Sequence, residues 1–313
     1  MRIVKPDLKI IQEAAELLRQ NRLVGVPTET VYGLAGDATN DLAVARIYEA
    51  KGRPEFNPLI VHVTSSNEAK EYAQFNALAE QLAATFWPGP LTLVLPLQKD
   101  SKISKLVTAG LPTVAMRCPR NEIALNLIRE AGRPLAAPSA NPSTRISPTL
   151  AIHVYEGFKE KSEPTLILDG GKCGIGLEST VLDLTDKKPT LLRLGGLDLT
   201  TLSNFCDIVE AKSGSQIKSP GMMLKHYAPK HCLRMNADEV REEEILLAFG
   251  PNPLKGGKKT FNLSPSGDLT EAATNLFSML HEIDQNECQG IAVMPIPEED
   301  LGMAINDRLR RAS

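Results

Sequence analysis

The chain has 313 residues, of which 42% are hydrophobic and 23% charged, a globular composition long enough for two domains. Its formal net charge of −3 argues against a general attraction to nucleic acid or to an anionic membrane. No run approaches the ~20 apolar residues of a membrane helix, and the first residues become charged too early for a signal peptide. Five dispersed cysteines without a CxxC pair favour reduced thiols, so we expect a cytoplasmic protein.

Helical and strand patterns mix along the first two thirds of the chain. Asp7 is a predicted N-cap of a first helix, and Asp41 begins another that ends near Gly52. A further amphipathic helix ends at Gly132. Strand-like runs are LVGV, PLIVHV, LTLVLP, TVAMRCP, PTLILDGG, STVLDLT and TLLRLGG. This order predicts an α/β fold with a mixed sheet, part parallel and part antiparallel, and we place the end of this domain at residue 210.

The remainder divides into a linker and a small domain. Residues 211–232 are polar, contain Gly and Pro and lack periodicity, so we interpret them as a linker. Residues 233–313 contain two strand-like runs, EEILLAFGP and GIAVMPIP, with a helix between them and another at the end. This pattern predicts a second, smaller α/β domain of the βαβ type.

The segment KGRPEFNP combines charge with rigidity. Lys51 and Arg53 flank a glycine, and Pro54 and Pro58 restrict the backbone of the loop after Arg53. Cations held beside the amide of Asn57 suit a phosphate or a carboxylate. The alternative is a solvated helix C-terminus, where cations also offset the helix dipole. The pattern alone leaves both interpretations open.

Other polar groups come directly after predicted strands. Ser139 and Asn141 are two positions apart and share one face in extended backbone, although the same residues also build ordinary turns. Arg117 and Arg193 end apolar strands, where each would pair with a carboxylate of the protein or of a ligand. PTET, at 27–30, offers hydroxyls and amides after a strand, or is simply a capped loop. Together these features predict a small-molecule or nucleotide site for an anion, without fixing its chemistry.

Six segments in order resemble the YrdC-like domain of L-threonylcarbamoyladenylate synthases. They are PTETVYGL, KGRPEFNPLIVHV, WPGPLTLVL, VAMRCP, PLAAPSANPS and ESTVLDL, within about residues 5–205. SPGMMLKHYAP and AINDRLRRA resemble the long form of the family. The resemblance implies a twisted, open, mixed α/β sheet with a basic concave surface, followed by a smaller Rossmann-like domain. The resemblance implies an enzyme, a nucleotidyltransferase, that forms threonylcarbamoyl-AMP and pyrophosphate from L-threonine, bicarbonate and ATP with Mg²⁺. The product would serve a downstream tRNA threonylcarbamoyltransferase machinery; direct binding of tRNA is left open.

The resemblance also implies roles for individual residues. Lys51 and Arg53 match a KxR motif and would stabilise charge during catalysis. The residues that match the threonine side are Thr30, His62, Arg117, Ala137 and Ser179. The residues that match the nucleotide side are Arg53, Asn57, Thr113, Ser139, Asn141, Ser147, Arg193 and Tyr227. Tyr227 lies in the linker, which would close over the nucleotide as a lid, and no residue is assigned as a metal ligand.

Two alternatives belong to other classes. A non-catalytic RNA-binding module could use the basic concave surface that the resemblance to YrdC-like domains implies, but the acidic chain lacks interleaved aromatic residues. The related carbamoyltransferase of hydrogenase maturation is much larger and carries zinc-finger-like cysteine motifs, which this sequence lacks. Pyrophosphate release that requires ATP and threonine would separate the enzyme from the binding module.

Overall fold

The structure is a computed structural model that describes residues 1–211, 218–220 and 227–313. Within these ranges, the strands form two sheets, one of eleven strands and one of four. The larger sheet is mixed and the smaller one is parallel. The predicted fold class, a mixed α/β sheet with a second, smaller α/β unit, is confirmed.

Several of the helices in the described residues begin or end at the residues that local chemistry predicts. They are α1 (Leu8–Arg19), α2 (Asp41–Lys51), α3 (Ser66–Ala69), α4 (Ala77–Phe86), α5 (Glu122–Ala131), α6 (Ala151–Phe158), α7 (Leu199–Ser203), α8 (Leu269–Ile283) and α9 (Asp300–Ala312). The Asp7 carboxylate accepts a hydrogen bond from the Ile10 amide at the start of α1. Gly52 and Gly132 end α2 and α5 in left-handed conformation, as predicted.

The larger sheet has the strand order β1-β8-β2-β3-β7-β4-β6-β5-β9-β10-β11. Its strands are β1 (Arg2–Val4), β2 (Val24–Val26), β3 (Gly33–Asp37), β4 (Ile60–His62), β5 (Leu91–Pro96), β6 (Thr113–Arg117), β7 (Leu135–Ala136), β8 (Leu166–Leu168), β9 (Thr180–Asp183), β10 (Thr190–Arg193) and β11 (Val209–Glu210). The sequence interpretation missed β3, because GLAGD resembles a loop. Small residues are needed there, since a Cβ on Gly33 would lie 3.2 Å from the Cβ of Ala137.

Both faces of the larger sheet are buried, and strand β8 contributes side chains to the apolar core on each face. Leu166 and Leu168 belong to the apolar cluster that includes α1 and α5, whereas Ile167 belongs to the main core on the opposite face. Alternate residues of one strand therefore supply two separate cores. Because both faces are apolar, the ends of the central strands are the positions where polar side chains can lie.

The second unit holds four parallel strands and two long helices. In spatial order, its strands are β12 (Leu233–Arg234), β15 (Gly290–Val293), β13 (Glu244–Ala248) and β14 (Lys259–Asn262). The sequence predicted β13 and β15 but missed β12, which has two residues, and β14, half of which is exposed. A parallel sheet with connecting helices agrees with the predicted Rossmann-like character.

The predicted linker at 211–232 lies partly outside the described residues, which omit 212–217 and 221–226. On its two sides, β11 is an edge strand of the first sheet and β12 an edge strand of the second. The domain boundaries at 210 and 233 stay predictions. Across this division, one apolar cluster contains Val31 and Leu177 from the first unit and Phe277 from the second.

Candidate active site

A cavity opens where strands and loops of the first unit meet residues from the predicted linker. Three arginines line it, one just after α2 and the others at the ends of β6 and β10: Arg53, Arg117 and Arg193. All three are buried, with 4–8% of their surface exposed. Three buried guanidinium groups around one cavity favour the binding of an anion there.

All five residues predicted for the threonine side line this cavity. They are Thr30, His62, Arg117, Ala137 and Ser179. Burial, and then the charge of Arg117, lower the pKa of His62 to about 3, so this imidazole is neutral near pH 7. The hydroxyl of Ser179 lies 2.7 Å from that of Thr92. This wall therefore offers hydroxyls, a neutral imidazole and one cation.

Arg117 is paired on one side. Its Nε donates to the carbonyl oxygen of Gly89 at 3.2 Å, and its Nη2 lies 2.8 Å from Oε1 of Glu29. The second contact is an ion pair without hydrogen-bond alignment, since neither Nη2 nor the Glu29 oxygens have a hydrogen-bond partner in the described residues. Gly89 and Glu29 thus hold the guanidinium in place from the protein side.

Four of the residues predicted for the nucleotide side line the same cavity. They are Arg53, Ser139, Arg193 and Tyr227. Arg53 donates to the carbonyl oxygens of Asn57 and Pro58 at 3.0 and 2.9 Å. Arg193 donates to the carbonyl oxygen of Ser179 through Nε and Nη2, at 3.0 and 2.9 Å. Backbone carbonyls therefore orient both cations without neutralising them.

Tyr227 forms part of the cavity wall and is 1% exposed. Its ring stacks on Phe277 of α8, with centroids 5.4 Å apart, and the guanidinium of Arg308 lies 5.1 Å from its centroid. Burial raises the pKa of its phenol to about 12, so the hydroxyl stays protonated. Tyr227 is the residue of the predicted lid that can be placed at the cavity, since most of the segment before it lies outside the described residues.

The other five predicted residues do not line the cavity. Asn141 belongs to the SAN segment, and Lys51 holds that segment: its Nζ donates to the carbonyl oxygens of Ser139 and Asn141, both at 2.6 Å. Ser147 donates to Oε1 of Glu178 at 2.5 Å. Asn57 is buried beside Arg53, and Thr113 begins β6. Their roles toward substrates stay predictions.

Sequence reasoning missed several residues of the site. Glu178 lines the cavity, Glu29 pairs with Arg117, and Arg308 pairs with Glu178 at 2.8 Å. All three lie within segments that carry the resemblance, namely PTETVYGL, ESTVLDL and AINDRLRRA. The available signal was the presence of a charged residue inside each segment. The residue with which it forms an ion pair is distant in sequence, so the pair itself could not be predicted.

Comparison with known proteins identifies the family. The family model for Sua5, YciO and YrdC, described as "Telomere recombination", matches residues 16–195. The model for the "Threonylcarbamoyl-AMP synthase, C-terminal domain" matches residues 197–313. The chain belongs to the threonylcarbamoyl-AMP synthase family. Because both models match, it is the long, two-domain form, as the sequence predicted.

Curated relatives in the threonylcarbamoyl-AMP synthase family agree over nearly the whole chain. The threonylcarbamoyl-AMP synthase of Pyrococcus abyssi is 43% identical, covering 97% of this chain and 94% of the relative. That of Bacillus subtilis is 38% identical, covering 97% and 92%. The crystal structure of P. abyssi Sua5 complexed with L-threonine matches 99% of this chain and 96% of that one, with 40% identity and a TM-score of 0.91. An enzyme is therefore indicated, not a non-catalytic RNA-binding module.

Proposed function

We propose that this protein forms L-threonylcarbamoyl-AMP and pyrophosphate from L-threonine, bicarbonate and ATP. This is a nucleotidyltransferase reaction, and its product would supply the modification of an adenosine in tRNA. One observation carries the proposal: nine residues that match the threonine and nucleotide sides of the family line a single cavity. A shared cavity permits transfer of an adenylyl group onto a threonine derivative without release between steps.

On the threonine side, Arg117 is assigned to the substrate carboxylate. Its guanidinium lies in the cavity wall and is held by the carbonyl oxygen of Gly89 and the carboxylate of Glu29. The complex of the P. abyssi protein with L-threonine supports a threonine site in this fold. Thr30 and Ser179 supply hydroxyls for the polar side chain and amine of threonine.

On the nucleotide side, Arg53 and Arg193 are assigned to the phosphates. The threonine amine attacks bicarbonate, or the CO2 derived from it, and releases water or a proton as the N–C bond forms. A carbamate oxygen then attacks the α-phosphorus of ATP, and the bond to the β-phosphate oxygen breaks, so pyrophosphate leaves. Both steps concentrate negative charge, which preoriented guanidinium groups stabilise without reorganisation.

Proton transfer is not assigned to a side chain. His62 is the imidazole in the cavity, and its pKa of about 3 makes it a weak base at neutral pH. It can accept a hydrogen bond from the substrate hydroxyl or amine without adding a positive charge beside Arg117. We assign it to orientation of threonine.

Magnesium is proposed to arrive with ATP. Among the described residues, no group of three or more His, Cys, Asp or Glu side chains is placed to hold a metal ion. Glu178 and Glu29 are already paired with Arg308 and Arg117. Mg²⁺ commonly keeps several waters and binds through substrate phosphates, where it neutralises charge. The residues present fit a metal held by the triphosphate.

The setting of the reaction is also part of the proposal. None of the described helices is long and apolar enough to cross a membrane. We propose a cytoplasmic enzyme whose product passes to a tRNA threonylcarbamoyltransferase machinery. Handing on the product fits its chemistry, since a mixed carbamic–phosphoric anhydride is readily hydrolysed by water.

The direct test measures pyrophosphate release by the full chain with ATP, threonine, bicarbonate and Mg²⁺, and then with each one omitted. We expect release to require all four, and mass spectrometry to detect threonylcarbamoyl-AMP. Serine in place of threonine tests selection of the side chain. Pyrophosphate release that continues without threonine would contradict the proposal, whereas RNA binding without any release would favour the binding module.

A further inference from the structure

A buried arginine connects the C-terminal unit to the cavity wall. Arg308 lies on α9 and is 1% exposed. Its Nε donates to Oε2 of Glu178 at 2.8 Å, and its Nη2 donates to the carbonyl oxygen of Leu194 at 2.7 Å. Both acceptors belong to the first unit, so one guanidinium of the second unit forms hydrogen bonds with the first unit at two positions.

Through Glu178, Arg308 is connected to the cavity, because Glu178 is one of the residues that line it. The second carboxylate oxygen of Glu178, Oε1, accepts a hydrogen bond from the Ser147 hydroxyl at 2.5 Å. Burial alone would raise the pKa of this carboxyl, but the charges of Arg308 and Arg193 and the hydrogen bond from Ser147 lower it below its usual value. Glu178 is therefore an ionised carboxylate held in one orientation from both sides.

The C-terminal unit also holds Ser147 and Tyr227 directly. The ring of His281, on α8, lies with Nε2 3.1 Å from the carbonyl oxygen of Ser147. Tyr227 stacks on Phe277 and has the guanidinium of Arg308 over its ring. Two residues predicted for the nucleotide side are thus positioned by side chains of the two long C-terminal helices.

We propose that Arg308 is a positioning residue for the nucleotide half of the site, and that the C-terminal unit is thereby a component of that site. Arg308 is not among the described residues that line the cavity, so it acts through Glu178 and Tyr227. The inference rests on the proposed function for the identity of the nucleotide.

The competing explanation is a counter-charge. A buried carboxylate requires a cation, and Arg308 would serve stability alone if any positive charge at that place sufficed. The geometry argues for more, because a planar guanidinium can bond Glu178 and Leu194 while its face lies over Tyr227. A lysine ammonium keeps the charge but cannot make all three contacts.

Arg308→Lys in the full chain separates these explanations. We expect this variant to fold with a lowered melting temperature, because buried acceptors lose a donor. At a temperature where it is folded, its KM for ATP should rise at least fivefold and its KM for threonine should change less than twofold. Arg308→Met, which also loses the charge, should raise the KM for ATP at least tenfold. The matched control is Arg310→Met, on the same helix but exposed and paired with Glu298, which should leave both KM values unchanged.

The results distinguish failure of this inference from failure of the proposed function. An Arg308→Lys variant that folds and keeps the unchanged KM for ATP would show a counter-charge only and would overturn the inference. An unchanged chain that releases no pyrophosphate from threonine, bicarbonate and ATP would overturn the proposed function. In that case, the affinity for ATP, measured by calorimetry on the same variants, tests the inference, and equal affinities would overturn it.

Discussion

Lys51 and Ser139 are joined by a 2.6 Å hydrogen bond from the lysine ammonium to the serine carbonyl oxygen. The same ammonium donates to the carbonyl oxygen of Asn141 at 2.6 Å, so one cation holds two backbone groups of the SAN segment. Burial, and then repulsion by Arg53, lower the pKa of Lys51 well below its usual value. Lys51 lies behind the cavity wall and fixes the segment that presents Ser139.

Replacing Lys51 with Met should impair both stability and activity. The two carbonyl oxygens would lose a charged donor, which costs roughly 1–3 kcal/mol in the free energy of unfolding. With the segment released, we expect pyrophosphate release to fall at least tenfold. Urea unfolding and steady-state kinetics measure the two effects, with exposed Lys99→Met as control. Full activity in a folded Lys51→Met variant would contradict this role and the predicted charge stabilisation.

Replacing Arg117 with Lys should affect threonine selectively. Lysine keeps a positive charge but cannot offer a planar pair of donors to a carboxylate. We expect the KM for threonine to rise at least tenfold, with the KM for ATP changed less than twofold. Arg129→Lys, on exposed α5 surface, is the control. Equal effects on the two KM values would show that Arg117 supports the whole cavity and does not bind threonine alone.

Much of the site could be predicted from motifs, and the rest depends on contacts between residues that are far apart in the sequence. Arg53 was identifiable from the rigid, charged segment after a predicted helix, and Arg117 from its place at the end of a predicted apolar strand. The pair of Arg308 and Glu178 is 130 positions apart, and nothing local specifies it. Likewise β3 was missed because its glycines reflect close packing against neighbouring strands, which is a tertiary requirement. Local sequence predicts elements better than it predicts what buried charges contact.

A stacked histidine pair across the two units should make stability sensitive to acid. His153 and His281 have ring centroids 3.9 Å apart. Burial lowers their pKa values to about 3 and about 4, and for His153 the neighbouring ring contributes as well. Below an unfolded pKa of about 6.5 the unfolded chain binds protons that the folded chain does not, so stability falls as pH falls from about 6.5 to 4.

We expect the double variant His153→Gln/His281→Gln to reduce this pH dependence. Each imidazole contributes at most about 1.4 kcal/mol per pH unit to the slope of the unfolding free energy. Urea unfolding between pH 4 and 8 measures that slope, and His231→Gln, which removes a ring outside the stack, is the control. A double variant with the slope of the unchanged chain would exclude the pair as its source.

Graded substitutions of Tyr227 should separate its ring from its hydroxyl. The ring stacks on Phe277 under the Arg308 guanidinium, so Tyr227→Phe keeps both contacts, whereas Tyr227→Ala removes a buried ring at roughly 3–5 kcal/mol. Tyr227→Leu retains most of the apolar volume without the stacking. We expect the KM for ATP to rise less than threefold for Phe and at least tenfold for Leu, measured under conditions where both variants are folded. Similar KM values for Phe and Leu would show that the wall requires volume only, and an unchanged KM in all three variants would remove Tyr227 from the nucleotide side.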